Sequence, residues 1–353
     1  MSFTPPRCPN VRCSQHRAPA GGFYRRHGFY QPKCRAEQVP RFLCRTCGRA
    51  FSRQTFRYDS GDRRPECNEP LLRYLWSGVG LRQAGRQLQL DVHSVLGKLR
   101  KMGRTFARLH KNLCHRLPEG GTFLLDEEET YEQASIRPLT MPVLIERNHW
   151  FVVATTAGSI RRLAEPGTAR RLWQDRDEQK HGIRRDRSRR CVKGVLGVLA
   201  SRLGHGVRMT LRTDEKASYA VIAKEVFGES VTHETTAGTD IRTTFNPLFP
   251  INTTLAMTRD NCGRLRRRSW LVTKRAARLR NQLAIFTIYR NYVRRRFNRD
   301  ARDETPAKLL GLLPRQLHPA EVLAWRQDWG DLSIHPMSPC ASRNVREAIS
   351  IPA

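Results

Sequence analysis

The sequence predicts a multidomain chain: an N-terminal zinc β-ribbon, a helix-turn-helix behind it, and then an α/β domain carrying clustered acids. Three observations predict it. Five of the ten cysteines fall within the first 47 residues, most of them in two spaced pairs. A helical stretch rich in basic positions follows. Beyond a breaker-rich linker, "LPEGG" at 117–121, β-branched apolar runs alternate with helical ones.

Charge narrows the choice of partner. The chain has 353 residues, with 64 Lys and Arg against 32 Asp and Glu, a net charge of +32 and a pI near 11.0. Such a balance implies a polyanion, with nucleic acid the default; double-stranded DNA is the form that the helix-turn-helix described below would bind. Most of the basicity is Arg, whose planar donor fork suits phosphate. No apolar run reaches the length of a membrane span, the best being Val195 to Ala200. The opening "MSFTPPRCPN" lacks the apolar core of a signal peptide. The expectation is a cytoplasmic, nucleoid-associated protein with no membrane partner. In that reducing setting, clustered cysteines favour metal over disulfides.

The ribbon is assigned to residues 1–60. "CPNVRC" supplies Cys8 and Cys13, and "CRTCG" supplies Cys44 and Cys47 ahead of Gly48. The second pair has zinc-ligand spacing, and the glycine permits a tight turn behind the metal. Aromatic and turn residues between the pairs, "GGFYRRHGFY" and then "RFLC", read as short strands closed by one Zn²⁺. Cys34 and His16 are spare candidates. Cys67, Cys114, Cys191, Cys262 and Cys340 are scattered and read as packed thiols.

The helix-turn-helix is assigned to residues 65–117. Leu72, Leu75 and Trp76 form one apolar stripe, and Leu81 to Leu88 a second short helix with small residues at Ala84 and Gly85. Asp91 is placed as the N-cap of a third helix, with Val92, Val95, Leu96, Leu99, Met102 and Phe106 on its buried face. Arg82, Arg86, His93, Lys98, Arg100, Lys101 and Arg104 are left for phosphate and groove contacts. The bland alternative is a three-helix module with a solvated basic face.

The third domain is assigned to residues 119–300. "TFLLDEEETYE" reads as a strand ending in acid, followed by β runs over Met141 to Ile145 and Trp150 to Thr156. After a polar, Arg-rich segment at 161–190 comes a helix around Val192 to Leu203. A strand over Val207 to Leu211 then leads into Asp214, with a helix from about Ser218. Two strands thus each deliver an Asp near their C-terminal ends. Adjacent strand ends can bring two carboxylates to shared Mg²⁺ or Mn²⁺ ions, which suit hard oxygen ligands and phosphodiester chemistry. Asp126 is the first acid after the apolar run. Glu127 to Glu129 alternate in direction, so not all can face one metal. The competing reading is a solvated strand end. Residues 251–298 read as one long basic helix, capped by Asn252 or Thr253. It carries an apolar stripe of Leu265, Val272, Leu279, Leu283, Phe286 and Val293, and Arg264, Arg266, Arg267 and Arg268 near its start. A tail at 301–353 holds two short amphipathic helices.

Taken together, "CPNVRC…RFLCRTCGRAFSRQTF", the helix-turn-helix, "LLDEEE", "LRTDEKASY" and "TRDNCGRLRRRSW" with the following "TK" resemble the zinc-ribbon DDE transposases of small bacterial insertion sequences, over about residues 8–298. The resemblance implies an RNase H-like catalytic domain with three acids, on a strand, a second strand and a helix. It also implies strand cleavage and strand transfer, with the chain acting as a homodimer or larger assembly on DNA. Asp126 and Asp214 match the first two acids. The helical motif departs: Thr258 stands in the acidic place before Arg259 and Asn261. Asp260 is the nearest acid on that helix and the expected third ligand, with Glu234 in reserve. A transposase-derived DNA-binding regulator with an inactive site, and a metal-dependent nuclease that never joins ends, remain as alternatives.

Overall fold

The N-terminal block has few aliphatic side chains, and aromatic rings supply its core. In the computed structural model, which describes residues 3–32, 37–204, 206–241, 243–266 and 270–326, Phe23, Phe42, Phe51 and Phe56 are buried together with Cys8, Cys13 and Cys44. A single turn of helix, α1 (Ser14–Arg17), precedes three antiparallel strands, β1 (Tyr24–Tyr30), β2 (Val39–Cys44) and β3 (Ala50–Ser52), in the order β1-β2-β3. Described residues up to 63, together with 320–326, form one compact unit. Residues 64–319 form the other.

The second unit begins with α2 (Asn68–Trp76), α3 (Leu81–Gln87) and α4 (Val92–Leu113). Asp91 caps α4, its side chain accepting from the His93 N–H at 2.7 Å. The turn before it requires Gln89 at φ +50° and brings the Leu90 N–H onto the Gly85 carbonyl at 2.8 Å. A Cβ at Gly85 would lie 2.8 Å from the Leu90 oxygen, so the small residue there is a steric requirement.

A six-stranded mixed sheet follows, in the order β6-β5-β4-β8-β9 with β7 beside β5. The central strand is β4 (Thr122–Tyr131). On one side it pairs antiparallel with β5 (Pro138–Glu146), which pairs with β6 (Phe151–Thr155) and β7 (Gly158–Ser159). On the other side it pairs parallel with β8 (Met209–Thr213), which pairs parallel with β9 (Val231–Thr235). Every residue of β5 is buried. Pro142, which has no N–H for a ladder, falls in the gap between the β7 pairing at Thr140 and the β6 pairing at Val143.

Helices α5 (Ala169–His181), α6 (Ser188–Leu203) and α7 (Ser218–Phe227) fill the crossover region, and α8 (Phe249–Asn261) and α9 (Ala276–Ile288) come after β9. One sheet face is covered by α8 and α9, whose Ile251, Leu255, Leu279, Leu283 and Phe286 join Leu124, Met141, Val143 and Ile145 in one core. Residues 251–298 are therefore not one helix. Helix α8 ends at Asn261, with Cys262 extended, because Gly263 must lie against the Gly78 backbone, where a Cβ would sit 2.5 Å from its oxygen. Nor do Asn252 and Thr253 cap it, since α8 already starts at Phe249 with Pro250 in its first turn. A π-turn over Tyr289–Val293 extends α9. Helix α10 (Pro306–Leu309) completes this unit, and α11 (Pro319–Ala324) leads into the smaller one, where Arg326 stacks over the Phe3 ring.

The helical segment and the sheet share this second unit. Gln282 of α9 donates to the Leu75 carbonyl at 2.7 Å, and Trp76 stacks on Tyr289 with centroids 4.8 Å apart. His110 near the end of α4 is held between the Tyr292 hydroxyl and the Val153 carbonyl, each at 2.9 Å, and burial drops its pKa to about 4. The closest approach is at Gly103, where a Cβ would lie 2.5 Å from Asn281 Cβ and 2.6 Å from its Cα. In an exposed helix Gly→Ala would add stability of about 1 kcal/mol. Here Gly103→Ala is expected to cost about 1–3 kcal/mol by forcing α4 off α9. Urea unfolding of the two proteins checks this, and a stabilised variant would contradict the crossing.

Candidate functional site

Alternation along β4 sends Leu124, Asp126 and Glu128 to the face covered by α8, and Phe123, Leu125, Glu127 and Glu129 to the other. Asp126 lies inside the strand and not at its end, as the sequence pattern had suggested, because β5 pairs with β4 all the way to Tyr131. The register of the parallel ladder sets Phe123 beside Leu211 and Leu124 beside Arg212. Carried one pleat past its last pair, the same register would set Asp126 level with Asp214, the first residue after β8, whose charge acts on the Asp126 carboxyl.

The run of acids survives in mid-sheet because its members are neutralised one at a time. Glu127 pairs with Lys216, Glu128 with Arg259 of α8, and Glu129 with Arg162. Asp126 has no such cation among the described residues. It accepts only the Glu127 N–H, at 2.6 Å. Burial pushes its carboxyl up to about 6, with the charges of Asp214, Glu128 and Glu127 adding to the rise. Asp214 accepts the Lys216 N–H at 3.1 Å. The pair thus forms an acidic point that a hard cation would stabilise.

The remaining acids do not join it. Asp260 is exposed on α8, whose sheet-facing side is made by Ile251, Thr254, Leu255, Thr258 and Asn261. At the helical repeat Asp260 falls on the opposite side. Thr258 is fully buried, its hydroxyl donating to the Thr254 carbonyl at 2.8 Å. Glu234 stands on β9 one pleat behind Asp214, in an ion pair with Arg212.

Among the basic positions, Arg82, Arg86, Arg100 and Arg104 are exposed, and Lys101 is partly so. Arg82 and Arg86 line a pocket at the α3–α4 turn with Gln89, Asp91 and Val92. Lys98 is not available for groove contacts. It is 6% exposed, and its Nζ donates to the Arg64 carbonyl at 2.8 Å and to Asn68 Oδ1 at 2.7 Å, tying α4 to the start of α2. Arg264 is not a surface cation either. Its Nε and one Nη are buried without a hydrogen-bond partner, and burial pulls its pKa down to about 10. Arg267, Arg268, Cys34 and residues 327–353 lie outside the described residues.

In the ribbon, Cys8, Cys13, Cys44 and Cys47 have their sulfurs all within 4.8 Å of one another, an arrangement compatible with zinc binding. Cys8 and Cys47 stand 3.6 Å apart and Cys13 and Cys44 3.9 Å. Tetrahedral bonds of about 2.3 Å require a spacing of about 3.8 Å. Gly48, at φ +66°, makes the turn that brings Cys47 back beneath Cys44. The Arg49 N–H lowers the Cys47 thiol to about 7, while burial drives Cys8 up to about 12. His16 stays outside the set, its ring Nδ1 meeting the Cys8 carbonyl at 2.7 Å. The other described cysteines are packed thiols: Cys114 is raised to about 11 and Cys262 to about 12 by burial.

Sequence reasoning passed over Lys216 and Tyr219 as partners of the acid strand. Their signal was present in "TDEKASY", which places a cation and a phenol just after Asp214 on the turn into α7. No protein-family model matches the chain, and comparison with curated proteins gives no match.

Two outcomes are expected. Metal analysis of the purified chain should find about one zinc, lost in Cys44→Ser; a zinc-free, folded ribbon would contradict the four-thiolate reading. The second outcome concerns pH. Asp126 has a folded-state pKa above its ordinary 3.8, so its charged form costs the fold stability. That contribution favours folding below about pH 4 and is lost as pH rises through about 6. Asp126→Asn should therefore raise stability at about pH 8 by an order of 1–3 kcal/mol and flatten its pH dependence. Thermal melts of both proteins across this range provide the check.

Proposed function

We propose that the protein is a DNA transposase of the zinc-ribbon DDE kind found in small bacterial insertion sequences, binding duplex DNA and then cutting and rejoining its phosphodiester bonds. One observation carries this reading: Asp126 in β4 feels the charge of Asp214, the residue that follows the adjacent parallel strand β8, and α8 packs over the Asp126 face. The strand, strand, helix order of the elements fits the RNase H-like arrangement that the sequence resemblance implies.

The residues divide the work as follows. Asp126 and Asp214 would hold Mg²⁺ or Mn²⁺, and their mutual repulsion makes a cation the natural occupant of the space they share. When bound, the metal supplies Lewis-acid activation of the attacking oxygen and stabilises the leaving one. Asp126 must be deprotonated to serve; burial and the charge of Asp214 oppose that, and a cation would favour it. Exposed Arg82, Arg86, Arg100 and Arg104 would neutralise DNA phosphates and fix the duplex on the α3–α4 segment. The ribbon's four thiolates would close on Zn²⁺ and hold a fold whose apolar core is small.

A second reading, a DNA-binding regulator with an inactive site, is favoured by one specific feature. The side of α8 that faces the sheet carries Thr258 where the resemblance calls for an acid, and Arg259 is committed to Glu128. Nicking of a supercoiled plasmid that carries the element's ends separates the two. The transposase reading expects Mg²⁺-dependent nicking that drops about a hundredfold or more in Asp126→Asn and in Asp214→Asn, with DNA binding retained. Asp260→Asn, on the far side of α8, should stay within about threefold of the wild-type rate. A wild-type protein that binds the ends and never nicks them would establish the regulator, and full activity in the double Asp variant would refute the site.

A further inference from the structure

The parallel ladder between β4 and β8 stops at Leu124 and Arg212. Pairing between β4 and β8 therefore stops short of the level at which Asp126 and Asp214 would face each other. Asp214 begins a short loop, 214–217, between β8 and α7. A loop residue held only by the strand behind it would leave the separation of the two acids loosely defined, and a metal site tolerates little looseness.

Three side chains close that gap. Glu127, next to Asp126 and pointing to the opposite face, has a side chain only 7% exposed, and both of its oxygens are used. Oε1 accepts from the Thr140 hydroxyl of β5 at 2.5 Å. Oε2 accepts from the Tyr219 hydroxyl at 2.9 Å and from Lys216 Nζ. Lys216 lies two residues beyond Asp214, and its own N–H binds the Asp214 carboxylate. Tyr219, 1% exposed, sits in the first turn of α7, with the Lys216 ammonium 5.2 Å from its ring centroid. The far end of the loop is thus fastened to the residue beside Asp126.

We propose that Glu127, Lys216 and Tyr219 form a positioning clamp that sets Asp214 against Asp126 at metal-binding distance. The inference rests on reading those two aspartates as the metal ligands. It gives the adjacent acids of β4 separate tasks. Asp126 binds, while Glu127, with its oxygens already occupied by Thr140, Tyr219 and Lys216, binds nothing further and acts as the anchor. Lys216 also places a positive charge beside a cluster of carboxylates and limits their repulsion when no cation is bound. Tyr219 is the most telling member, because a residue so buried cannot touch DNA. Any effect of losing its hydroxyl must pass through Glu127.

The test is Mn²⁺ binding to the full chain, followed by electron paramagnetic resonance. The Asp126→Asn, Asp214→Asn double variant defines the part of the binding that depends on the site. Removal of outer-shell partners typically weakens metal binding by about 10–100-fold. Glu127→Gln and Lys216→Met are expected to raise the site-dependent Kd by about tenfold or more, and Tyr219→Phe by several-fold. Lys216→Arg, which keeps the cation, should recover most of the affinity. Thermal melts accompany each titration, and affinities are compared at a temperature where every variant is folded; Lys216→Arg, which keeps a cation beside Glu127, should melt with wild type. Nicking should fall in the same order at limiting Mn²⁺ and recover at saturating metal. Affinities within about twofold of wild type in all of the Glu127, Lys216→Met and Tyr219 variants would overturn the clamp. So would the absence of any site-dependent Mn²⁺ binding in the wild-type chain. A wild-type chain that binds Mn²⁺ through the two aspartates yet nicks no DNA would defeat the transposase reading alone, and the clamp would still stand or fall on the affinities.

Discussion

Four consecutive acids in the central strand of a sheet would repel one another strongly in a medium of low dielectric, and the structure is organised around relieving that repulsion. Three cations reach β4 from three different parts of the chain: Lys216 from the turn after β8, Arg259 from α8, and Arg162 from the segment after β7. Each ion pair also fastens a separate element to the central strand. The same interactions that make the acidic run tolerable therefore dock the α8 helix and the Asp214 loop. Among the described residues only Asp126 is left with acids and no cation, and burial pushes its carboxyl up. A site that holds unneutralised charge gives up stability to do so, which is the usual relation between a fold and its reactive point.

The chain's basicity is spent in more than one way. The exposed arginines on α3 and α4 form a surface suited to phosphate, but Lys98, Arg202, Arg264 and Arg290 are largely or wholly inside. Lys98 ties two helices through a carbonyl and an Asn side chain, and Arg202 donates to the Lys111 carbonyl at 3.2 Å, joining α6 to the end of α4. Arg290, fully buried, has its pKa lowered to about 9 by burial. Net charge is consequently an upper bound on the charge that a polyanion meets. The arginines that count are those whose helical positions face away from the α4 stripe of Val95, Leu99, Met102 and Phe106.

Much of this was legible in the sequence wherever a local rule sufficed. The cysteine pairs, the Asp91 cap and the helix beginning at Ser218 each follow from spacing or capping chemistry within a few residues. The strands around Met141 and Phe151 were legible as β-branched runs, though β5 starts earlier, at Pro138, and runs through Pro142, which falls in the gap between its β7 and β6 pairings. What escaped depended on distant partners. Strand β9, "VTHET", is polar and half-exposed, and its identity comes from pairing with β8. Helix α5 is almost free of buried residues and is held by ion pairs such as Arg137 with Asp177 and Arg161 with Glu178. The break between α8 and α9 is fixed by the approach of Gly263 to Gly78, far away in sequence. The inward turn of Lys98 is set by Asn68 in the same way.

The site shows the same division. Adjacent acids on a strand must face opposite sides, so the sequence could say that not all of "DEEE" meets one metal, but it could not say which acid would be left without a cation. That choice is made by what covers each face. The side with Asp126 is roofed by α8, which brings Arg259 to Glu128 and buries Thr258. The side with Glu127 is roofed by α7, whose Tyr219 and preceding Lys216 saturate its oxygens. Asp126 is thus singled out by elimination: its neighbours in the run are each paired with a cation, and the charge of Asp214 acts on it from beyond the end of β8. A carboxylate in that position can be satisfied by a proton or by a metal ion.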